Sequence, residues 1–191
     1  MITADDIRTV FAGALELIED DALREKTVEA WVTGCERGGW NDLEMLSKMP
    51  FTLLTDCHGI SFMEHTMAVT LGAFALARAQ VDTYENVPYP IDFDRLVAGG
   101  LLHDIGKLLE IEPDGEGGYR KSRNGMCARH PISGAILVAE AGFDDEMVNT
   151  VACHAKEGEG RPQVVETVFI HQADFATFNP LVMKQAGKLI E

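Results

Sequence analysis

Basic side chains are scarce in this sequence. Lys and Arg number 16 against 31 Asp and Glu in 191 residues, for a formal charge of −15. Such a surface repels phosphate backbones and anionic lipid, which argues against long nucleic acids and membranes as partners. Cysteine is sparse as well. Cys35, Cys57, Cys127 and Cys153 are scattered without a C-x-x-C pair, which excludes a disulfide framework and suits reduced thiols in a cytoplasmic protein. Long apolar runs are missing: the longest, residues 96–102, is far short of the ~20 residues that cross a bilayer. The N-terminal stretch lacks the basic region of a secretory signal. Sustained β-branched alternation, internal repeats, low-complexity tracts and linkers are also absent, leaving no basis for a substantial sheet or a divided chain. The expectation is a single domain over residues 1–191.

What is present is helical periodicity. Ile7, Val10, Phe11, Ala14, Leu15 and Ile18 recur at i, i+3, i+4 spacing, which predicts a helix over 4–20 capped by Thr3. Further helices are expected over 22–33, ending at Gly34, and over 42–48, stopping before Pro50. Ser61-Phe62-Met63-Glu64 has the form of a capping box and opens a helix to about residue 80. Asp92 or Asp94 starts another to about Leu109. Residues 112–128, rich in Gly and charge, read as an irregular loop or small hairpin. Helices over 131–142, 144–156 and 164–178, with a last one after Pro180, complete an all-α, irregular helical bundle.

All six histidines lie after residue 57. His65, the adjacent pair His103-Asp104, His130, His154 and Asp174 fall in five separate helical segments. A bundle can aim side chains from several helices at one centre, and imidazole with carboxylate suits borderline or hard metals. Adjacent residues on a helix point ~100° apart, so His103 and Asp104 can reach two different ions, with Asp104 as the bridging carboxylate.

The ordered set resembles the HD superfamily of metal-dependent phosphohydrolases, and more narrowly its dinuclear HDIG-type branch. The matching stretches are Glu64-His65-Thr66-Met67-Ala68-Val69, His103-Asp104-Ile105-Gly106-Lys107, His130-Pro131-Ile132-Ser133-Gly134-Ala135-Ile136-Leu137, Val151-Ala152-Cys153-His154 and Gln172-Ala173-Asp174-Phe175. The resemblance covers roughly residues 60–178. Residues 1–55 read as N-terminal helices without a motif. It implies an HD-type helical fold with two metal ions: His65, His103, Asp104 and Asp174 on one, and His130, His154 and the bridging Asp104 on the other. Iron or manganese is expected first, with zinc, nickel, cobalt or magnesium compatible. Water acidified by the metals would be the nucleophile on a small phosphate ester or nucleotide. Asp104 and Lys107 are the candidate catalytic residues, Lys107 lying one turn from His103 so that it can hold a phosphate.

The chain departs from the cyclic-dinucleotide phosphodiesterases of this branch, because a single histidine stands at residue 154 and no G-Y-P follows. Mixed-valent diiron oxygenases that cleave C–C or C–P bonds resemble the same scaffold and share that single histidine, so they form the alternative reading. A non-catalytic nucleotide-binding regulatory module is a third. Charge supplies one further clue. Between Gly117 and Ala139 there is no acid, while Arg120, Lys121, Arg123 and Arg129 fall within ten residues. This basic loop joins the His103-Asp104 segment to His130, so a small anionic substrate is expected, with Lys107, Arg129 and Arg123 as its binding residues. His171, three residues before Asp174, reads first as a packed histidine, with an alternative ligand or a supporting group as its functional reading, and His58 reads first as a loop residue, with a substrate role as the alternative. Self-association into a homo-oligomer is left open.

Overall fold

A computed structural model describes residues 1–190; Glu191, the last residue of the expected domain, lies outside the described residues. Helices begin where caps are written in the sequence. α1 (Ala4–Val10) starts at Thr3, whose hydroxyl oxygen accepts from the Asp6 N–H while the Asp6 carboxylate accepts from the Thr3 N–H. The expected continuous helix to residue 20 is instead broken at Phe11 and resumes as the short α2 (Ala12–Leu15). Phe11 is fully buried, its ring 4.7 Å from that of Trp31. The turn at Phe11 lets two short apolar stripes reach one core.

α3 (Asp21–Gly38) runs past the expected stop at Gly34 and ends at Gly39, which takes the left-handed conformation with φ 77°. Gly34 serves a packing need instead: a Cβ there would lie 2.8 Å from the Leu108 side chain. α4 (Leu43–Ser47) is capped by Asp42, and α5 (Phe62–Thr83) opens with the Ser61–Glu64 capping box. α6 (Phe93–Leu102) is capped by Asp92. The predicted helix to Leu109 does not continue, because the ladder breaks at 103–106 and restarts as α7 (Lys107–Glu110). At the break the Ile105 N–H bonds the Leu102 carbonyl, so the Leu101 carbonyl loses its helical partner. The Trp31 indole N–H donates to it at 3.0 Å, and the Trp40 indole donates to the Leu108 carbonyl at 2.8 Å. The motif-free N-terminal helices therefore brace the segment that carries His103 and Asp104.

Residues 112–128 resolve into a hairpin and a short helix. β1 (Ile111–Pro113) pairs antiparallel with β2 (Tyr119–Lys121), Glu112 opposite Arg120, and α8 (Arg123–Cys127) follows. α9 (His130–Glu140) has Pro131 in its first turn, and α10 (Asp145–Cys153) starts at the Asp144 cap. α10 stops short of residue 156, and a 3-10 turn over Lys156–Gly158 follows it. α11 (Val165–Gln185) is one helix that carries Pro180 inside it, where the sequence predicts a break. Pro180 is exposed, while Phe178 and Leu181 on either side pack on the core and hold the helix through the missing hydrogen bond.

The fold is mostly helical, with the two-stranded hairpin as its sheet among the described residues. One apolar cluster runs from Ile2 and Ile7 through Trp31, Phe62 and Leu101 to Val151, and a smaller one lies between α5, α6 and α11. Among the described residues no helix is long and apolar enough to cross a membrane.

Candidate metal centre

Six side chains from five segments meet around Asp104. His65 lies in the first turns of α5, just after the Ser61 cap; His103 and Asp104 form the break after α6; His130 opens α9; His154 closes α10; Asp174 lies midway along α11. Close backbone approach makes this convergence possible. A Cβ on Gly106 would lie 2.1 Å from the His130 carbonyl oxygen, and one on Gly134 would lie 2.9 Å from Val151. The two glycines seat the 103–107 turn, α9 and α10 directly on one another.

Asp104 is fully buried and its two oxygens face opposite ways. Oδ2 lies 3.3 Å from His65 Nε2 and 3.2 Å from His103 Nε2. Oδ1 lies 3.1 Å from His130 Nε2 and 3.4 Å from His154 Nε2. Asp174 Oδ1 completes the first group, 3.2 Å from His65 Nε2. The donor atoms of His65, His103, Asp104 and Asp174 lie within 4.8 Å of one another, as do those of Asp104, His130 and His154.

The opposite ring nitrogens are all engaged. His103 Nδ1 donates to the Gly100 carbonyl at 2.6 Å and His154 Nδ1 to the Val151 carbonyl at 2.8 Å. His130 Nδ1 donates to Glu110 Oε2 at 2.8 Å. His65 Nδ1 donates to Thr177 Oγ1 at 3.3 Å, since that hydroxyl spends its own proton on the Asp174 carbonyl. A ring that donates through Nδ1 in its neutral tautomer turns a bare Nε2 lone pair toward Asp104. His65 Nε2, His103 Nε2, His154 Nε2 and Asp104 Oδ1 are buried without a hydrogen-bond partner. Lone pairs facing lone pairs at 3.1–3.4 Å are repulsive unless cations lie among them. The donor set fits metal ions.

Electrostatics agree with that arrangement. Burial pushes the Asp104 carboxyl up, but Lys107, then His103 and His130, outweigh it and hold the group well below the ordinary carboxylate range. Lys107 Nζ donates to Asp104 Oδ2 at 2.5 Å. Burial works against ionised Asp174 too, and His65 outweighs it, leaving the carboxyl at about 2. Burial pushes His130 down to about 4 against the pull of Asp104 and Glu110, so its ring is neutral at pH 7, as a metal ligand must be.

Three supporting groups escaped the sequence reading. Glu110 accepts from both the backbone N–H and Nδ1 of His130, and its carboxyl, opposed by burial but held by His130 and Lys121, stays at about 2. Phe51 stacks on the His65 ring, centroids 4.2 Å apart. Thr177 orients His65. Glu110 had a signal of sorts, lying one turn after Lys107; Phe51 and Thr177 had none, because their partners are distant in sequence. Glu110→Gln should keep the fold and weaken metal binding in the His130 group by about 10–100-fold, as read by metal titration.

The basic residues divide. Lys107, Lys121 and Arg129 line a cleft of about 450 Å³ that opens beside His130 and Asp174. Arg129 holds Glu157 at 2.5 Å and Lys121 reaches Glu110 at 3.2 Å. Arg123 does not join them; it is exposed on α8, away from the cleft lining. His171 supports the centre indirectly, its Nδ1 donating to the His154 carbonyl at 2.6 Å. His58 stands apart in a turn with φ 49°.

Fold and site together define a helical protein able to hold metal in a His/Asp cluster. The HD domain matches residues 62–175, and the chain belongs to the HD-domain family. Ribonuclease Y of Pseudothermotoga lettingae is 28% identical over 160 residues, covering 84% of this chain and 26% of that protein. Ribonuclease Y of Thermosipho melanesiensis is 28% identical over 155 residues, 80% of this chain and 25% of that protein. An uncharacterized protein of Methanocaldococcus jannaschii is 30% identical over 104 residues, 54% of this chain and 50% of its own length. The chain thus spans about a quarter of the length of the ribonuclease Y relatives it matches. No solved structure matches.

Proposed function

We propose that this chain is a metal-dependent phosphohydrolase that cleaves a small phosphate ester or nucleotide. The observation that carries the proposal is the set of unpartnered lone pairs around one carboxylate whose two oxygens face two histidine groups. His65, His103, Asp104 and Asp174 would hold one ion, and His130, His154 and Asp104 the second. Iron or manganese are the ions proposed. When bound, they supply Lewis acidity, which acidifies water and neutralises phosphoryl charge. Lys107, with its ammonium against Asp104 at the cleft floor, binds the phosphate as a point charge. Arg129, at the rim, fixes its orientation, and Glu110 keeps the His130 ring aimed. The ribonuclease Y relatives carry a phosphodiester-cleaving name, which supports hydrolysis over oxygen chemistry on this scaffold. The −15 charge supports a small substrate over a long nucleic acid, and four free cysteines support a cytoplasmic setting.

The test is phosphate release from a panel of phosphomonoesters, phosphodiesters and nucleotides by protein purified with Mn or Fe. Release that stops on chelation is expected. Turnover that consumes O2 and leaves every ester intact would overturn the proposal. Lys107→Ala should lower kcat/KM by ~10²-fold, the effect of removing one charge-stabilising donor, while metal content stays unchanged by elemental analysis. Metal loss in this variant would contradict the role given to the lysine.

A further inference from the structure

Phe51, Leu53, Leu54, Phe175 and Phe178 form an apolar wall in the cleft beside the metal centre, and Lys107, Lys121, Arg129 and Lys156 also line it, with Lys107 Nζ 5.5 Å from the Phe51 ring centroid. The apolar wall starts at the metal centre itself: Phe51 stacks on the His65 ring, and Phe178 meets Phe51 edge-on at 6.4 Å. It continues outward to Leu53 and Leu54, which are 43% and 79% exposed at the mouth.

Those two leucines are held where they are. The Thr55 hydroxyl and the Asp56 N–H both donate to Gln185 Oε1 at the end of α11, and the Leu54 N–H donates to Thr52 Oγ1. Large aliphatic side chains fixed in water beside a cleft lose hydration cost only when something apolar covers them. Among the described residues no Asn, Gln, Ser or Tyr lines the cleft, and its one hydroxyl, that of Thr52, accepts from the Leu54 N–H, so few neutral polar groups are placed to read a polyhydroxylated body. The net fixed charge of the cleft favours one phosphate group over a polyphosphate, because three of its four cations stand against carboxylates of this chain: Lys107 with Asp104, Lys121 with Glu110 and Arg129 with Glu157.

We propose that the cleft selects substrates with a single phosphate group esterified to an apolar body, an alkyl chain or one aryl ring, recognised by burial against Phe51, Phe178, Leu53 and Leu54. The identity of the head group rests on the phosphohydrolase reading; the preference for an apolar body rests on the wall.

The experiment measures binding of non-hydrolysable phosphonates to the protein purified with Mn, by calorimetry. Methyl-, propyl-, pentyl- and benzylphosphonate are compared with a polyhydroxylated phosphonate of pentyl length. Affinity should rise about fourfold per methylene up to pentyl, the gain from burying each one, and the polyol should bind no better than methylphosphonate. Leu53→Ser/Leu54→Ser should reduce the rise to less than ~2-fold per methylene and leave methylphosphonate, too short to reach the wall, unaffected. Leu53→Met/Leu54→Met should restore the rise. Equal affinity across the alkyl series, polyol binding equal to pentyl, or an unchanged slope in the double serine variant would each overturn the proposal. Phosphonates are not hydrolysed, so the two readings fail separately. Chain-length dependence without phosphate release sinks only the hydrolase assignment, and phosphate release without chain-length dependence sinks only the apolar selectivity.

Discussion

Asp104→Ala is expected to lose metal from both histidine groups at once and to lower kcat by on the order of 10³-fold or more, the scale at which a transition-state charge stabiliser acts. The reason is geometric. Among the described residues no other carboxylate faces both groups: Oδ2 looks toward His65 and His103, Oδ1 toward His130 and His154, and Asp174 approaches the first group alone. Elemental analysis checks this directly, and full retention of one ion would contradict the bridging role. The substitution should also weaken the metal-free protein. Lys107 is 8% exposed and its ammonium is held by Asp104. Removing one partner of a buried ion pair leaves the other uncompensated, at a cost of about 3–5 kcal/mol. Asp104→Asn keeps the acceptor oxygen for Lys107 but lacks the charge, so it should lose metal while recovering part of that stability. Thermal unfolding in chelator separates the two effects.

Helix starts and ligand types were legible because both are local. Thr3, Ser61, Asp92 and Asp144 each cap the helix that follows them, a bond made within three residues. Likewise the five ligand segments are visible as short patterns, and the structure brings all six side chains to one place. What could not be read is set by contacts between distant residues. Nothing local marks Gly34 as interior rather than terminal; Leu108 does, from 74 positions away. The break at 103–106 lies inside an apolar run that continues the helical pattern, and it exists because Trp31 satisfies the carbonyl it frees. Pro180 is tolerated because Phe178 and Leu181 are packed. At the site the same rule holds. Charge patterning in sequence grouped Arg123 with Arg129, yet α8 carries Arg123 outward while Arg129 stays at the cleft. Residues 51–54, in the stretch without a motif, supply one wall of that cleft.

Gly106→Ala should be strongly damaging although it lies outside the ligand set. Its Cβ would lie 2.1 Å from the His130 carbonyl oxygen and 2.6 Å from the Gly134 backbone nitrogen. Neither obstacle is the end of a flexible side chain, so the first turn of α9 must move. Overpacking of this kind costs about 3 kcal/mol at its upper range, and a chain of this size should lose roughly 6–12 °C in Tm. The displaced turn begins with His130, whose Nε2 is 3.1 Å from Asp104 and whose Nδ1 is fixed by Glu110. Moving it away should therefore cost the ion proposed for the His130 group, with the group of His65, His103 and Asp174 keeping the one proposed for it. That outcome distinguishes the variant from Asp104→Ala, which should keep none. Gly106→Ala protein with both ions and an unchanged Tm would show that α9 does not depend on this contact for its position.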